Sequence, residues 1–365
     1  MKRKKTDLPV ERGLPESKNL RDGQVTIADL AEFLSLTKGT ISAVLNDSPY
    51  ARSIPQRTKD RILAAAAELN YKPNFLARSL RQKRSFSIGI VVEEIGDPYS
   101  SVLISGIESV LSLRKYIFLT VVHRHNPQLL QQYLDTLRVR GVEGIITIDT
   151  VLNVAPRLPL VAIPGYSSLP GVHNIVLDHR RAAKMALEHL IRLGHRKIAV
   201  FRGQALSADS AERWNSIREV AMELGAPIES GLVVELAGDH ASPQPGYEAI
   251  QKLRARGAKY TAVFAYNDMS AIGAMQALKD AGLQVPEDVS VVGFDDVREA
   301  SFYSPALTTV RQPLRRMGEI AAEMIVSQID GKEGLADNVK VEPEFVIRRS
   351  TGPAKSLQSR SRKTS

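Results

Sequence analysis

The polar side chains best placed for chemistry fall into two groups. Asp97, Asp178, Arg213, Asn267, Asp268, Asp295 and Asp296 stand in segments that follow short apolar runs in the body of the chain. Carboxylates and amides held at fixed spacing can accept from and donate to a hydroxyl-rich small molecule. The second group, Thr26, Thr37, Lys38, Thr40, Ser42 and Asn46, is crowded into a short stretch near the N-terminus. Catalysis is poorly served. Glu93 and Glu94 would point to opposite sides of an extended segment, and His179, His189 and His195 are ten and six residues apart, so no pair sits at i, i+4. No zinc pattern, Walker loop or Gly-x-Ser-x-Gly elbow occurs. Cysteine is absent, which excludes disulfide and thiolate chemistry and fits a cytoplasmic setting. No catalytic residue, metal or cofactor is expected.

The elements that carry the second group are helical. In VTIADLAEFLSLTKGTISAVLN (25–46), Thr26 is an N-cap with Asp29 three residues on, and Ile27, Leu30, Ala31 and Leu34 form one apolar face. Ser35 and Leu36 make a break. Thr37 caps a second helix whose apolar face is Ile41, Val44 and Leu45, and a third helix runs from Pro55 to Leu69. Two short helices joined by a tight turn are the helix-turn-helix arrangement, whose second helix enters the major groove of DNA. Charge agrees: residues 1–84 hold 17 Lys and Arg against 9 Asp and Glu, residues 352–365 hold four basic residues and no acid, and the rest is mildly acidic. A basic head and tail suit a polyanion.

From Ser85 the texture changes. Apolar runs at Ile88–Val92, Ile117–Val122, Gly144–Ile148, Leu160–Ile163, Asn174–Leu177, Lys197–Phe201, Ala262–Ala265 and Val289–Val292 read as strands. Amphipathic stretches at Ser100–Leu113, Pro127–Arg140, His179–Leu193, Ala211–Leu224 and Ser270–Ala281 read as helices. This alternation predicts parallel sheets covered on both faces, with length enough for two lobes. Ligands of such sheets sit beyond the carboxyl ends of strands, here the loops after Val92, Leu177, Phe201, Tyr266 and Phe294. Residues 1–24 and 352–365 read as disordered, 25–72 as the DNA-binding domain, 73–84 (PNFLARSLRQKR) as a linker and 85–351 as the body. The basic N-terminus has no apolar h-region, and no run of about 18 apolar residues suggests a membrane span.

The openings VTIADLA and TKGTISAVLN, followed by AAAAELNYKPNFLARSLR, resemble the head of the LacI family of bacterial transcription regulators. IGIVVEEIGDPYSS (88–101), LEHLIRLGHRKIAVF (187–201), the run 261–296, SPALTTVRQP (304–313) and VIRRST (346–351) resemble its periplasmic-binding-protein-like core. The resemblance covers nearly the whole chain from residue 25. It implies an all-α lambda-repressor-like head on two doubly wound parallel α/β lobes with a ligand cleft between them. It further implies a homodimer on double-stranded operator DNA. Thr37, Lys38, Gly39, Thr40 and Ala43 take positions that face bases, while Thr26, Ser42 and Asn46 take positions that hold phosphates; Arg52, in the lengthened segment 46–58, is expected to add a phosphate contact. Asn74, Ala77, Arg78 and Leu80 match a hinge helix whose leucine wedges into the minor groove. Asp97, Asp178, Arg213, Asn267 and Asp295 match the effector site, with a sugar-like ligand expected. For Asp268 and Asp296 helix capping is the simpler role.

Some positions depart from the family. Ala43 stands where many members carry a guanine-reading arginine, and Ser35 where a turn glycine is usual. The segment 46–58 is about three residues longer than usual, which predicts an extended surface loop. Pro164 and Ile217 replace residue types common in sugar-binding members. The chain is expected to cross between lobes near Leu177–Asp178, Leu307–Arg311 and residues 335–340. Repression is the family default, an activator or an effector-independent regulator the alternative. A solute-binding protein would lack the head. The helices Ser100–Leu113 and Gln128–Val139 are expected at the dimer face.

Overall fold

A computed structural model describes residues 25–72, 79, 84–154, 157–166, 168–204, 207–238, 241–332, 334 and 336–355. The hinge positions Asn74, Ala77, Arg78 and Leu80 lie outside them. The chain divides into two compact units between Ser85 and Phe86.

The first unit is helical. Helix α1 (Ile27–Leu34) opens with a capping box in which Thr26 and Asp29 satisfy each other's backbone N–H groups. It ends at Ser35, which adopts a left-handed conformation with φ 53°. Helix α2 (Lys38–Leu45) is capped by Thr37, whose hydroxyl accepts from the Thr40 N–H. Helix α3 (Gln56–Glu68) starts one residue after Pro55, which takes the cap position. Leu30, Ala31, Leu34, Ile41, Ile62 and Ala65 form the core. Each large aliphatic side chain buried there is worth about 1.5–3 kcal/mol. The segment expected as a surface loop instead folds. Pro49–Ser53 is a 3-10 helix, and its Ala51, with Ile54, packs on Ala43.

The second unit holds two six-stranded sheets. The first has the order β11-β5-β4-β3-β1-β2 and the second β12-β10-β9-β8-β6-β7. The strands are β1 (Ser87–Val92), β2 (Ile117–Val122), β3 (Gly144–Ile148), β4 (Leu160–Ile163), β5 (Val172–Leu177), β6 (Ile198–Arg202), β7 (Val233–Glu235), β8 (Ala262–Phe264), β9 (Ser290–Asp295), β10 (Thr308–Arg311), β11 (Asn338–Val341) and β12 (Glu344–Val346). Among the described strands only β10 and β12 pair antiparallel. The central strands β1, β3, β4 and β9 are buried along their whole length, which is why their sequences run apolar without alternation. The helices are α4 (Pro98–Leu113), α5 (Pro127–Val139), α6 (His179–Arg192), α7 (Ser210–Glu223), α8 (Gln244–Ala255), α9 (Asp268–Asp280), α10 (Arg298–Phe302) and α11 (Leu314–Ile329).

The elements not read from sequence are β7, α8, α10, β10, α11, β11 and β12. They include α11, which packs against α4 and returns the chain to the first lobe. The lobe crossings are correspondingly displaced. The first follows β5 at Asp178, as expected. The second lies at Gln312–Pro313, because Thr308–Arg311 is itself a strand of the second sheet. The third lies at Glu342–Pro343, after β11 has paired with β5. The C-terminal boundary also moves. Residues 352–355 are anchored: Gly352 N–H donates to Ser290 Oγ at 3.0 Å and Ala354 N–H to the Leu193 carbonyl at 2.8 Å. Among the described residues, no helix is long and apolar enough to cross a membrane.

Candidate functional site

Two surfaces gather the residues singled out in the sequence. The first is the outer face of α2. Thr37, Lys38 and Gly39 are exposed at its start, and Thr40 and Ser42 are half-buried. Lys38, Gly39 and Ser42 line a shallow groove with Ile27, Ala43, Asn46, Ser48 and Tyr50. Asn46 closes the helix by donating its amide to the Ser42 carbonyl at 2.7 Å. Thr26 is exposed, with its hydroxyl on Asp29 at 2.8 Å. Arg52 is exposed on the 3-10 helix. Ala43 differs from the others: it is 6% exposed, its methyl held by Ala51 and Ile54. The extra residues of 46–58 thus cover the part of α2 from which a long side chain would otherwise project.

The second surface is a cleft at the carboxyl ends of strands from both sheets. Glu93 and Glu94 follow β1, Asp97 and Tyr99 start α4, Asp149 follows β3 and Pro164 follows β4. The other wall carries Asp209 and Arg213 around the start of α7, Tyr266 and Asn267 after β8, and Asp295 at the end of β9. The cavity left between them is about 40 Å³, room for a few waters.

Arg213 organises this cleft. It is 5% exposed, and its guanidinium lies 3.9 Å from the centre of the Phe294 ring and 4.5 Å from that of Tyr266. Its Nη1 donates to the Tyr266 carbonyl at 2.6 Å and its Nη2 to Asp209 at 2.5 Å. Asp209 also faces His179 Nε2 at 3.3 Å. Burial alone would raise the Asp209 carboxyl, but Arg213 and His179 hold it well below the usual carboxylate range. The ion pair therefore stays charged.

Asp149 reaches across from the first lobe. Its carboxylate accepts from the Ala208 N–H at 2.7 Å and the Ser207 hydroxyl at 3.0 Å. Burial, with Asp209 and Glu93 nearby, pushes it up to about 7. Asp295 is 5% exposed and sits at φ 113°, a region L-residues rarely occupy. The Gln312 amide donates to its carboxylate at 2.7 Å. Burial raises the Asp295 carboxyl well above the ordinary value, with Asp268 adding to the effect. Since Gln312 lies at a lobe crossing, the cleft is bonded directly to that crossing.

The residues singled out in the sequence separate accordingly. Asp97, Arg213, Asn267 and Asp295 meet in the cleft. Asp97 also caps α4, accepting from the Tyr99 and Ser100 N–H groups, and Asn267 caps α9 through Ser270. Asp178 is not among the lining residues. It caps α6 and pairs with Lys340 at 2.6 Å beside the first crossing. The capping roles expected for Asp268 and Asp296 are not found. Asp268 is fully buried and accepts from the Thr309 hydroxyl at 2.6 Å and the Val297 N–H at 2.8 Å, tying α9 to β10 and α10. Asp296 pairs with Arg311 at 2.7 Å and Arg348 at 2.6 Å. Asp149, Asp209, Tyr99 and Tyr266 were missed as a set. Asp149 directly follows an apolar run, so the strand-end rule extended to Ile148 would have found it. Asp209 follows no strand that was read, but its i, i+4 spacing to Arg213 was a signal for that pair.

Comparison with known proteins places these features. A family model described as bacterial regulatory proteins, lacI family, matches residues 26–74, and one described as a periplasmic binding protein-like domain matches residues 187–351. The chain is 30% identical over 338 residues to the HTH-type transcriptional repressor PurR of Haemophilus influenzae, covering 89% of this chain and 98% of that one. The repressor of the same name from Erwinia tasmaniensis is 30% identical over 334 residues, covering 89% and 96%. Among solved structures, the lac repressor dimer bound to operator and an anti-inducer superposes with a TM-score of 0.80 at 26% identity, covering 90% of this chain and 99% of that one. A complex of the transcriptional regulator CelR with cellobiose gives 0.66 at 26% identity, covering 90% and 100%.

Proposed function

Because the chain belongs to the lacI family of bacterial regulatory proteins, we propose that it represses transcription as a cytoplasmic homodimer on a pseudo-palindromic operator, with a small polar, sugar-like molecule in the cleft setting its DNA affinity. The chain is a DNA-binding regulator and not an enzyme. The observation that carries the DNA side is the exposed, capped start of α2, where Thr37, Lys38 and Gly39 project from a head whose core is otherwise closed. A recognition helix enters the major groove with its N-terminal residues. Thr26, Ser42, Asn46 and Arg52 are assigned to phosphates, and Asn74, Ala77, Arg78 and Leu80 to the minor groove at the dyad. Phosphate contacts set register while base-edge contacts specify sequence.

The effector acts by shifting a population between two lobe arrangements, and only through its differential affinity for them. The route from ligand to lobe crossing is short. Asp295 lines the cleft and bonds to Gln312, next to Pro313, where the chain returns to the first lobe. A ligand that engages Asp295 competes with that bond and alters the crossing.

The test is selection of binding sites from a random duplex library with the full-length protein. A two-fold symmetric site with a flexible pyrimidine–purine step at its centre is the expected result. Lys38→Ala should weaken binding to that site by about 1–3 kcal/mol if it reads guanine. If it holds a phosphate, the loss should be uniform across sequences and the salt slope should fall by about one. Absence of any enriched sequence, with only salt-sensitive bulk binding, would overturn sequence-specific recognition by this head.

A further inference from the structure

The charge of the cleft is lopsided. Among its described lining residues there are six carboxylates, Glu93, Glu94, Asp97, Asp149, Asp209 and Asp295, and a single permanent cation, Arg213. Arg213 is already committed. Its two terminal nitrogens serve Asp209 and the Tyr266 carbonyl, and its faces are covered by Phe294 and Tyr266. An anionic ligand would find both terminal guanidinium nitrogens occupied and would meet the remaining carboxylates at close range.

Resting on the reading of this cleft as the effector site, we infer that the effector carries a positively charged nitrogen on a hydroxyl-bearing frame, the chemistry of an amino sugar or a related amino-polyol. Two independent observations support this. The first is the placement of Asp149 and Asp295. Asp295 is buried and Asp149 half-buried, and among the described residues both accept from neutral donors and form no ion pair. Carboxylates withdrawn from water and short of counter-charge are destabilising, and the one cation near them, Arg213, is already paired with Asp209. An ammonium group entering between Asp149 and Asp295 supplies the missing charge and three donors at once. The second is Arg213 Nε, which is buried in the cleft wall without an acceptor. A ligand hydroxyl or ring oxygen would satisfy it. The pairing of an acceptor for Nε with a cation for Asp295 selects a molecule bearing both. Burial already holds Asp149 and Asp295 toward their protonated forms, so a cationic ligand replaces protons rather than adding charge to a neutral site.

The experiment is a thermal-shift and calorimetric comparison on the full-length protein near pH 7, where the amino sugars are mainly protonated. The panel contains glucosamine, galactosamine and spermidine as cations, glucose, galactose and cellobiose as neutral molecules, and glucose 6-phosphate and glucuronate as anions. Stabilisation by an amino sugar at least tenfold tighter than by its neutral counterpart, and lost in both Asp295→Asn and Asp149→Asn, is the expected result. The second variant guards against a misfolded first, since the amide oxygen that Asp149→Asn introduces can still accept from Ser207 and Ala208. Preferential binding of a neutral or anionic member, unaffected by either variant, would overturn the cationic class while leaving the cleft as an effector site. No stabilisation by any member of the three classes would count against the effector reading itself and take this inference with it.

Discussion

Ser35 shows how one residue sets the geometry of the head. The turn between α1 and α2 needs a left-handed residue, and Ser35 fills it at φ 53° with its N–H on the Ala31 and Glu32 carbonyls. A β-carbon is unfavourable in that region, so Ser35→Gly should stabilise the head by about 0.5–1 kcal/mol. A melting midpoint unchanged or lowered would mean that the serine side chain compensates. Asp149 carries a pH signature. Its folded pKa, pushed up to about 7, lies above the unfolded value near 3.9. The folded chain therefore holds an extra proton between those values. The stability linked to that proton is complete below about pH 4 and lost as the pH rises through about 7. Asp149→Asn removes this dependence and should gain on the parent by about 1–3 kcal/mol between roughly pH 5 and pH 8. Denaturant midpoints measured across that range decide it, and parallel curves would refute the raised pKa.

At the scale of elements, each lobe is built around a pair of helices crossing at reciprocal glycines. A β-carbon at Gly106 of α4 would lie 2.1 Å from the Arg315 carbonyl oxygen, and one at Gly318 of α11 would lie 2.1 Å from that of Leu103. In the second lobe, Gly246 of α8 meets Ser270 of α9 in the same way, and Gly273 of α9 meets Pro243. The obstacle in each case is backbone, which cannot swing aside. Gly318→Ala should therefore cost about 3 kcal/mol or more, at or beyond the upper range for overpacking. A thermal midpoint within a degree of the parent would show that α4 and α11 separate easily. The 3-10 helix Pro49–Ser53 has a comparable hold on α2. Placing the family's arginine back at Ala43 puts a long charged side chain under Ala51 and Ile54. Ala43→Arg should expel the 3-10 helix and destabilise the head before it adds any base contact. Tighter DNA binding with an unchanged melting curve would contradict that packing.

For the whole molecule, the proposed dimer finds a candidate face in the first lobe. Leu113 at the end of α4 is 84% exposed, and β2, the edge strand beside it, presents Ile117 and Leu119 outward. An apolar edge strand left open invites association. Leu113→Glu combined with Ile117→Lys should give a monomer by sedimentation with lobes still folded, and with it a large loss of operator affinity. A dimer surviving both changes would place the interface elsewhere. DNA binding should also fall steeply with salt, since the head works largely through phosphates, and a flat dependence would argue against that.

The sequence alone determined the helix-turn-helix, both of its caps, the parallel character of the body and its family. These rest on local signals: capping residues at fixed offsets, apolar periodicity, and runs flanked by turns. It did not disclose α11, β10, β11 or β12, because these late elements find their partners in strands and helices far back in the chain. It placed Arg213, Asn267, Asp97 and Asp295 in one site but also counted Asp178, which the fold commits to a cap and a lysine at the crossing. Only the tertiary structure brought Asp149 from one lobe to Ser207 of the other, and set His179 against Asp209. The charge of the cleft is a sum over loops distant in sequence, and it exists only once both sheets have placed their carboxyl ends face to face.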